Sequence, residues 1–226
     1  MHGTTRIVLL LAALSACQGC LATANPENAP QRVVEDRSVN GWMVPHTALV
    51  EITCLGVPRG GGSAVFLGGT KAMTAKHVME GNEGCLFVLK NQTHQADVVS
   101  WVYSGEADLA LLELAQPVPG LESIELAHAD LGEPITVVGY PVRLSDDIQA
   151  LTVTHGTLAS YAYDNGEDRI TAPVYFGNSG GPVFSRKGDL VGIAVAIYVK
   201  RFQGNYPLPY DGLALMVPYA YMKALL

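Results

Sequence analysis

The heptapeptide Phe176-Gly177-Asn178-Ser179-Gly180-Gly181-Pro182 sets one serine among glycines and leads into the apolar pair Val183-Phe184. Glycine reaches backbone angles that other residues resist and lets a second backbone come close, so a serine here can be presented at a tight turn with free N–H groups beside it. An attacking hydroxyl needs that setting. Gly, Asn, Ser and Pro are also ordinary turn residues, and taken alone the stretch reads equally well as a polar loop between two strands. What the rest of the chain supplies decides between the two.

Working outward, the 226 residues are 15% charged, and 24 glycines and 13 prolines separate many short apolar runs. That pattern belongs to an all-β protein, with length enough for one domain or two small ones around a sizeable core. The formal charge of −7 comes without a basic stripe and argues against nucleic acid as a partner.

The first 24 residues read as an export signal. His2 and Arg6 precede the apolar run Ile7–Leu14, too short to span a bilayer and the right length for a signal-peptide core. Two processing sites compete. Leu14-Ser15-Ala16-Cys17 resembles a bacterial lipobox, which would make Cys17 a lipidated N-terminus and anchor the chain to a membrane; Ala22-Thr23-Ala24 fits ordinary cleavage before Asn25. The lipobox is preferred, and the expected location is exported: periplasmic, membrane-anchored by lipid, or secreted. The Cys17–Cys20 spacing lies inside this segment and is discounted as a redox or metal motif. In an oxidising compartment the remaining Cys54 and Cys85 would pair, although cleavage at Cys17 would leave Cys20 over.

Residues 25–40 carry no apolar periodicity and read as a flexible tether. Ordered structure is expected near Trp42, giving a first β unit over 41–117, a crossing segment over 118–128 and a second β unit over 129–226. The first unit has apolar runs at 48–52, 62–67, 71–75, 85–89, 95–103 and 109–114, and the second at 134–140, 150–154, 156–161, 190–197 and 213–217. No repeat is visible between them. Gly60-Gly61-Gly62 and Gly68-Gly69 lack the lysine and helix of a phosphate cradle and read as hairpin turns. Pro218, taken as a first helical position, predicts a short closing helix over the last residues.

A serine nucleophile needs a general base, and the base needs a carboxylate to fix its tautomer. His2 lies in the signal, and His46, His94, His128 and His155 are scattered without the spacing of metal ligands, so no metal or cofactor is expected. His77 follows the strand ending Met73-Thr74-Ala75, and Asp108 directly precedes the apolar run Leu109–Leu112. Each alone reads as an ordinary strand-end residue.

Together, Thr74-Ala75-Lys76-His77-Val78, Ala107-Asp108-Leu109-Ala110-Leu111-Leu112 and Gly177-Asn178-Ser179-Gly180-Gly181-Pro182 resemble the histidine, aspartate and nucleophile segments of the trypsin-like serine protease superfamily, in the chymotrypsin order. The resemblance is closest to the bacterial HtrA and glutamyl-endopeptidase type, without a PDZ domain. It rests also on Gly188-Asp189-Leu190-Val191-Gly192-Ile193 and Val217-Pro218, and covers roughly residues 46–226.

It implies two six-stranded antiparallel β-barrels, a triad of His77, Asp108 and Ser179, and an oxyanion hole from the backbone N–H groups of Gly177 and Ser179. It also implies a first specificity pocket near Pro173, Val174, Tyr175 and Phe176, walled by Val195, Ala196 and Ile197. With no acid at Pro173, small or medium aliphatic side chains are expected there. Two positions depart from the family pattern: Phe176 stands where Pro is common, and Val195 where a hydroxyl residue often supports the aspartate, leaving Asp108 to backbone donors. Asn178 replaces the acid that a new N-terminus neutralises in digestive relatives, so activity without an activating cut is expected. The activity implied is that of an endopeptidase acting on protein or peptide; the alternative is the same fold binding peptides, chaperone-like, with little cleavage.

Overall fold

The computed structural model describes residues 37–141, 150–162, 166–201 and 207–226, backbone only over 197–201 and 207–212. The expected signal, Cys17, Cys20 and most of the expected tether lie outside the described residues, and so does the side chain of Ile197.

Some strands bury alternate residues: in Ala110–Leu114, Ala110, Leu112 and Leu114 are buried while Leu111 and Glu113 are half-exposed. Six strands, β1 (Thr47–Cys54), β2 (Val57–Gly68), β3 (Lys71–Thr74), β4 (Leu86–Lys90), β5 (Gln95–Tyr103) and β6 (Ala110–Leu114), close a first barrel in the order β1-β2-β3-β6-β5-β4. Six more, β7 (Pro134–Gly139), β8 (Thr152–Ser160), β9 (Asp168–Ile170), β10 (Pro182–Ser185), β11 (Leu190–Arg201) and β12 (Pro207–Pro218), close a second as β10-β11-β12-β9-β8-β7. Read around the ring, both barrels have the same connectivity. Closure leaves neither sheet a long free edge.

One apolar cluster fills the first barrel and runs on into Val138, Phe184, Leu190, Ile193, Val195, Val217 and Met222 of the second. A smaller cluster, including Ile135, Leu158, Ile170, Val183 and Met216, fills the second barrel alone. The crossing segment is stitched to both sides, Ile124 N–H donating to Leu67 O at 3.1 Å and Ala127 N–H to Leu190 O at 3.0 Å.

Several details differ from the sequence expectation. Residues 150–154 and 156–161, expected as two strands, form the single strand β8, because pairing with β7 is continuous from Gly139↔Thr152 to Pro134↔Thr157. Strand β9 was not anticipated: it has three residues, and Asp168-Arg169 gives no apolar alternation. Gly60-Gly61-Gly62 is not a hairpin turn but lies within β2, whereas Gly68-Gly69 does sit at the β2–β3 turn.

At the N-terminal end Ser38 Oγ accepts Gly41 N–H and starts a π-helical turn, Val39–Met43, that continues into α1 (Val44–His46). Trp42 Nε1–H donates to Gly188 O at 2.9 Å and Arg37 pairs with Asp189 at 2.7 Å, clasping this turn to the second barrel. After α2 (Lys76–Met79), the closing helix α3 runs Tyr219–Leu225, with Pro218 as its cap rather than its first residue. Cys54 and Cys85 are bridged, Cα–Cα 4.4 Å, one step beyond the Thr53↔Leu86 pair of β1 and β4.

Candidate active site

Strand β3 ends at Thr74, paired with Ala110 of β6. Extending that antiparallel register brings the loop before β6 alongside the residues that open α2. The loop is held locally: Ser104 Oγ accepts the N–H groups of Glu106 and Ala107, each at 3.2 Å, and Ser104 N–H donates to Leu109 O at 2.9 Å. Asp108 therefore meets His77 at two points. The ring Nδ1–H donates to Oδ2 at 2.6 Å, and the backbone N–H of His77 donates to Oδ1 at 2.9 Å.

This grip sets the charges. The hydrogen bond to Asp108 lifts the His77 imidazolium above its ordinary 6.5, outweighing the opposing effect of burial, with the Asp108 charge and the more distant Glu167 and Glu80 adding to it. Burial pushes the Asp108 carboxyl up, but the hydrogen bonds from the His77 ring and backbone, its charge and the Lys76 backbone together hold it below the usual range. Asp108 is thus held by the His77 ring and by the His77 backbone N–H. The His77 side chain stays 47% exposed, leaving a ring face open to a reactant.

The serine stretch forms two successive turns. Asn178 N–H closes on Tyr175 O at 2.9 Å with Gly177 third at φ +96°, and Gly181 N–H closes on Asn178 O at 2.8 Å with Gly180 third at φ +88°. A type II turn requires positive φ at its third position, which is why glycine stands two residues before Ser179 and directly after it. Gly180 is also hemmed in: a Cβ there would sit 2.1 Å from Ser63 O and from Thr74 Oγ1. Among the described residues, no acceptor takes the N–H groups of Gly177 and Ser179.

The turns pack against the His77 segment. A Cβ on Gly62 would lie 2.7 Å from the Val78 side chain and 2.8 Å from Ser179 O, so α2, β2 and the serine meet at this glycine. The Ser179 hydroxyl is within hydrogen-bonding distance of Val195 O, 3.1 Å, and makes no bond to His77 in this resting arrangement. His77 and Asp108 are joined directly; Ser179 stands beside them with its proton directed elsewhere.

Of the expected pocket residues, Val174 and Val195 are buried, Ala196 is half-buried, and Pro173, Tyr175 and Phe176 are exposed, Phe176 by 81%. Thr154 Oγ–H donates to Pro173 O at 2.7 Å and fixes that end of the segment. A separate concavity of about 480 Å³ opens on the second barrel near His128, Glu133 and Lys187 and contains none of these residues.

Sequence reasoning missed Ser63. Fully buried in β2, it donates its N–H to Ser179 O and its hydroxyl to Gly177 O, both at 2.8 Å, and its Oγ accepts Tyr140 N–H at 2.8 Å. The run Gly60-Gly61-Gly62 before it was the available signal, since consecutive glycines within a strand mark a close backbone approach.

Twin six-stranded barrels with an imidazole–carboxylate pair beside a glycine-flanked serine define the chymotrypsin-like class. The chain belongs to the trypsin-like peptidase domain family, whose profile matches residues 62–193. It is 30% identical over 148 residues to chloroplastic protease Do-like 2 of Arabidopsis thaliana, covering 61% of this chain and 24% of that protein. It is also 30% identical over 174 residues to a probable periplasmic serine protease do/HhoA-like of Haemophilus influenzae, covering 71% and 34%. The chain thus spans about a quarter to a third of those relatives' length. The serine endoprotease from Yersinia pestis shares its fold, with TM-score 0.65, 23% identity, and coverage of 84% of this chain and 64% of that one.

Proposed function

We propose that the chain is an exported serine endopeptidase that cleaves protein or peptide substrates through Ser179, His77 and Asp108. The observation that carries this reading is the two-point hold of Asp108 on His77, 2.6 Å to the ring and 2.9 Å to the backbone, at the edge of the Ser179 turn. A carboxylate so placed keeps the proton on Nδ1 and presents Nε2 as the base.

An extended substrate lies along β11 beyond Ala194 and adds a strand to it. Its N–H takes the Val195 carbonyl, which frees the Ser179 hydroxyl to turn to His77. Ser179 Oγ then attacks the scissile carbonyl while His77 takes its proton. The developing oxyanion lies against the N–H groups of Gly177 and Ser179, where one donor is worth about 10²–10³ in rate. His77 passes the proton to the leaving amine, and water, deprotonated by His77, releases the acyl group and restores the serine. Pro173, Val174, Tyr175, Phe176, Val195, Ala196 and Ile197 form the pocket for a small or medium aliphatic side chain. Asn178 makes the domain active once its signal is removed, with no further activating cut, and Cys17 carries the lipid that holds it to a membrane.

A second reading, a peptide-binding protein that cuts little, is favoured by the Ser179 hydroxyl resting on Val195 O rather than turning to His77. A fluorophosphonate probe separates the two. Folded wild-type protein labels at Ser179 and Ser179→Ala does not; folded wild type that stays unlabelled refutes the endopeptidase. Mass spectrometry of the mature N-terminus finds lipidated Cys17, and an unmodified Asn25 there rejects the anchor.

A further inference from the structure

Two peptide units around Ser179 are tied down at both ends. The unit joining Gly177 to Asn178 is held at both ends, its N–H on Tyr175 O at 2.9 Å and its C=O by the Ser63 hydroxyl at 2.8 Å. The unit joining Ser179 to Gly180 is held likewise, its N–H on Ala194 O at 2.7 Å and its C=O by Ser63 N–H at 2.8 Å. Between them lies the unit carrying the Ser179 N–H, whose C=O accepts Gly181 N–H at 2.8 Å, and directly before them lies the unit carrying the Gly177 N–H; no described acceptor takes either N–H. Peptide units are planar, so fixing these planes narrows the directions open to the free N–H groups of the units joined to them.

Ser63 is itself immobilised. Its carbonyl accepts Thr74 Oγ–H at 2.6 Å, its hydroxyl oxygen accepts Tyr140 N–H at 2.8 Å, and it is fully buried. One side chain of the first barrel thereby ties down a loop of the second, 114 residues away.

We propose that Ser63 is a positioning residue for the oxyanion: through the Gly177 carbonyl, its hydroxyl aims the Gly177 N–H at the charge that develops when Ser179 attacks. This inference rests on the reading of Ser179 as nucleophile. Removing the hydroxyl leaves the Ser63 N–H hold on Ser179 intact; it releases the Gly177 unit and also deprives Tyr140 N–H of its acceptor. The loss is therefore part of one oxyanion donor, about 10- to 100-fold in kcat. Ground-state binding involves no charged oxygen and is spared.

The test measures kcat and KM on one peptide substrate, and inhibition by a peptide boronate of matching sequence, for wild type, Ser63→Ala, Ser63→Thr and Ile170→Val. The last trims a fully buried β9 residue paired with Leu158 and Ala214 and reports what lost stability alone does. Expected for Ser63→Ala are a kcat lowered about 10- to 100-fold, a boronate affinity lowered in parallel, and a KM within about twofold. Ser63→Thr keeps the hydroxyl and stays within about fivefold of wild type, and Ile170→Val leaves kcat unchanged. A Ser63→Ala enzyme with kcat no lower than Ile170→Val, or one altered only in KM, overturns the proposal. Should Ser63→Ala not fold, Ser63→Thr decides, since a folded but inactive threonine enzyme overturns it too. Wild type that fails to hydrolyse or label refutes instead the reading of Ser179.

Discussion

Replacing Asn178 by Asp tests how the Ser179 turn is stabilised without a charge. The Asn178 side chain is fully buried; its Oδ1 lies 3.5 Å from Thr152 Oγ1, and its Nδ2 has no partner. Thr152 Oγ1 also lies 3.3 Å from Gly139 O, so its single proton is shared between two acceptors. No cation among the described residues reaches the site. A carboxylate of the same shape would be stranded, and burial of this kind raises a carboxyl pKa by about 2–3 units, each worth about 1.4 kcal/mol. Removing the unpartnered Nδ2 returns about 1 kcal/mol. The net loss at pH 8 is about 2–3 kcal/mol. Because the folded-state pKa is raised, the penalty is absent below the unfolded value of about 4, grows as pH rises and levels off above the folded value. Urea unfolding should find the variant slightly more stable than wild type at pH 4.0 and about 2–3 kcal/mol less stable at pH 8.0. An Asn178→Asp protein as stable as wild type at pH 8 would refute this reasoning, since it would mean that a positive group does reach the pocket.

Two further outcomes follow from the same geometry. The kcat/KM of the wild type should rise with pH through an inflection above 6.5, because His77 must be neutral to accept a proton and Asp108 holds it charged to higher pH. In Asp108→Asn that inflection moves down and kcat falls about 10⁴-fold; an unshifted inflection would contradict the pairing. Replacing both Cys54 and Cys85 by Ala should cost about 3–4 kcal/mol in urea unfolding with kcat unchanged, and a matched fall in kcat would place the bridge in the site.

Much of the fold could be read locally because the strands are short apolar runs between turn residues, some alternating in burial, as β4 and β6 do, and others buried almost throughout, as β7 and β10 are, and that signal operates within five or six positions. It failed where pairing, not pattern, makes the strand. β9 offers Asp168-Arg169-Ile170, and only its neighbours β8 and β12 make it extended. The helical turn at Val39–His46 was illegible for a related reason, since its anchors are distant: Trp42 bonds to Gly188, and His46 is buried with its ring nitrogens 2.7 Å from Trp42 O and 3.0 Å from Glu122 O. The candidate site divides the same way. His77, Asp108 and Ser179 each carry a local motif, whereas Ser63 carries none, because its role exists only where the two barrels touch.

The division of labour between the barrels has an energetic consequence. His77, Asp108, Ser63 and Thr74 belong to the first barrel, Ser179 and Val195 to the second, and among the described residues the hydrogen bonds that join the barrels at the site run from Ser63 to Ser179, Gly177 and Tyr140. Around them the join is apolar: Val138, Phe184, Leu190, Ile193 and Val217 pack into the first barrel's core. Apolar packing resists separation but is non-directional, so it tolerates small sliding far better than a hydrogen bond tolerates a shift in length or angle. The barrels can therefore remain docked while the serine turn loses its alignment with His77. Activity should then fail before unfolding begins, and the Ser63 hydroxyl, with one bond to each of two second-barrel residues, is where that failure starts.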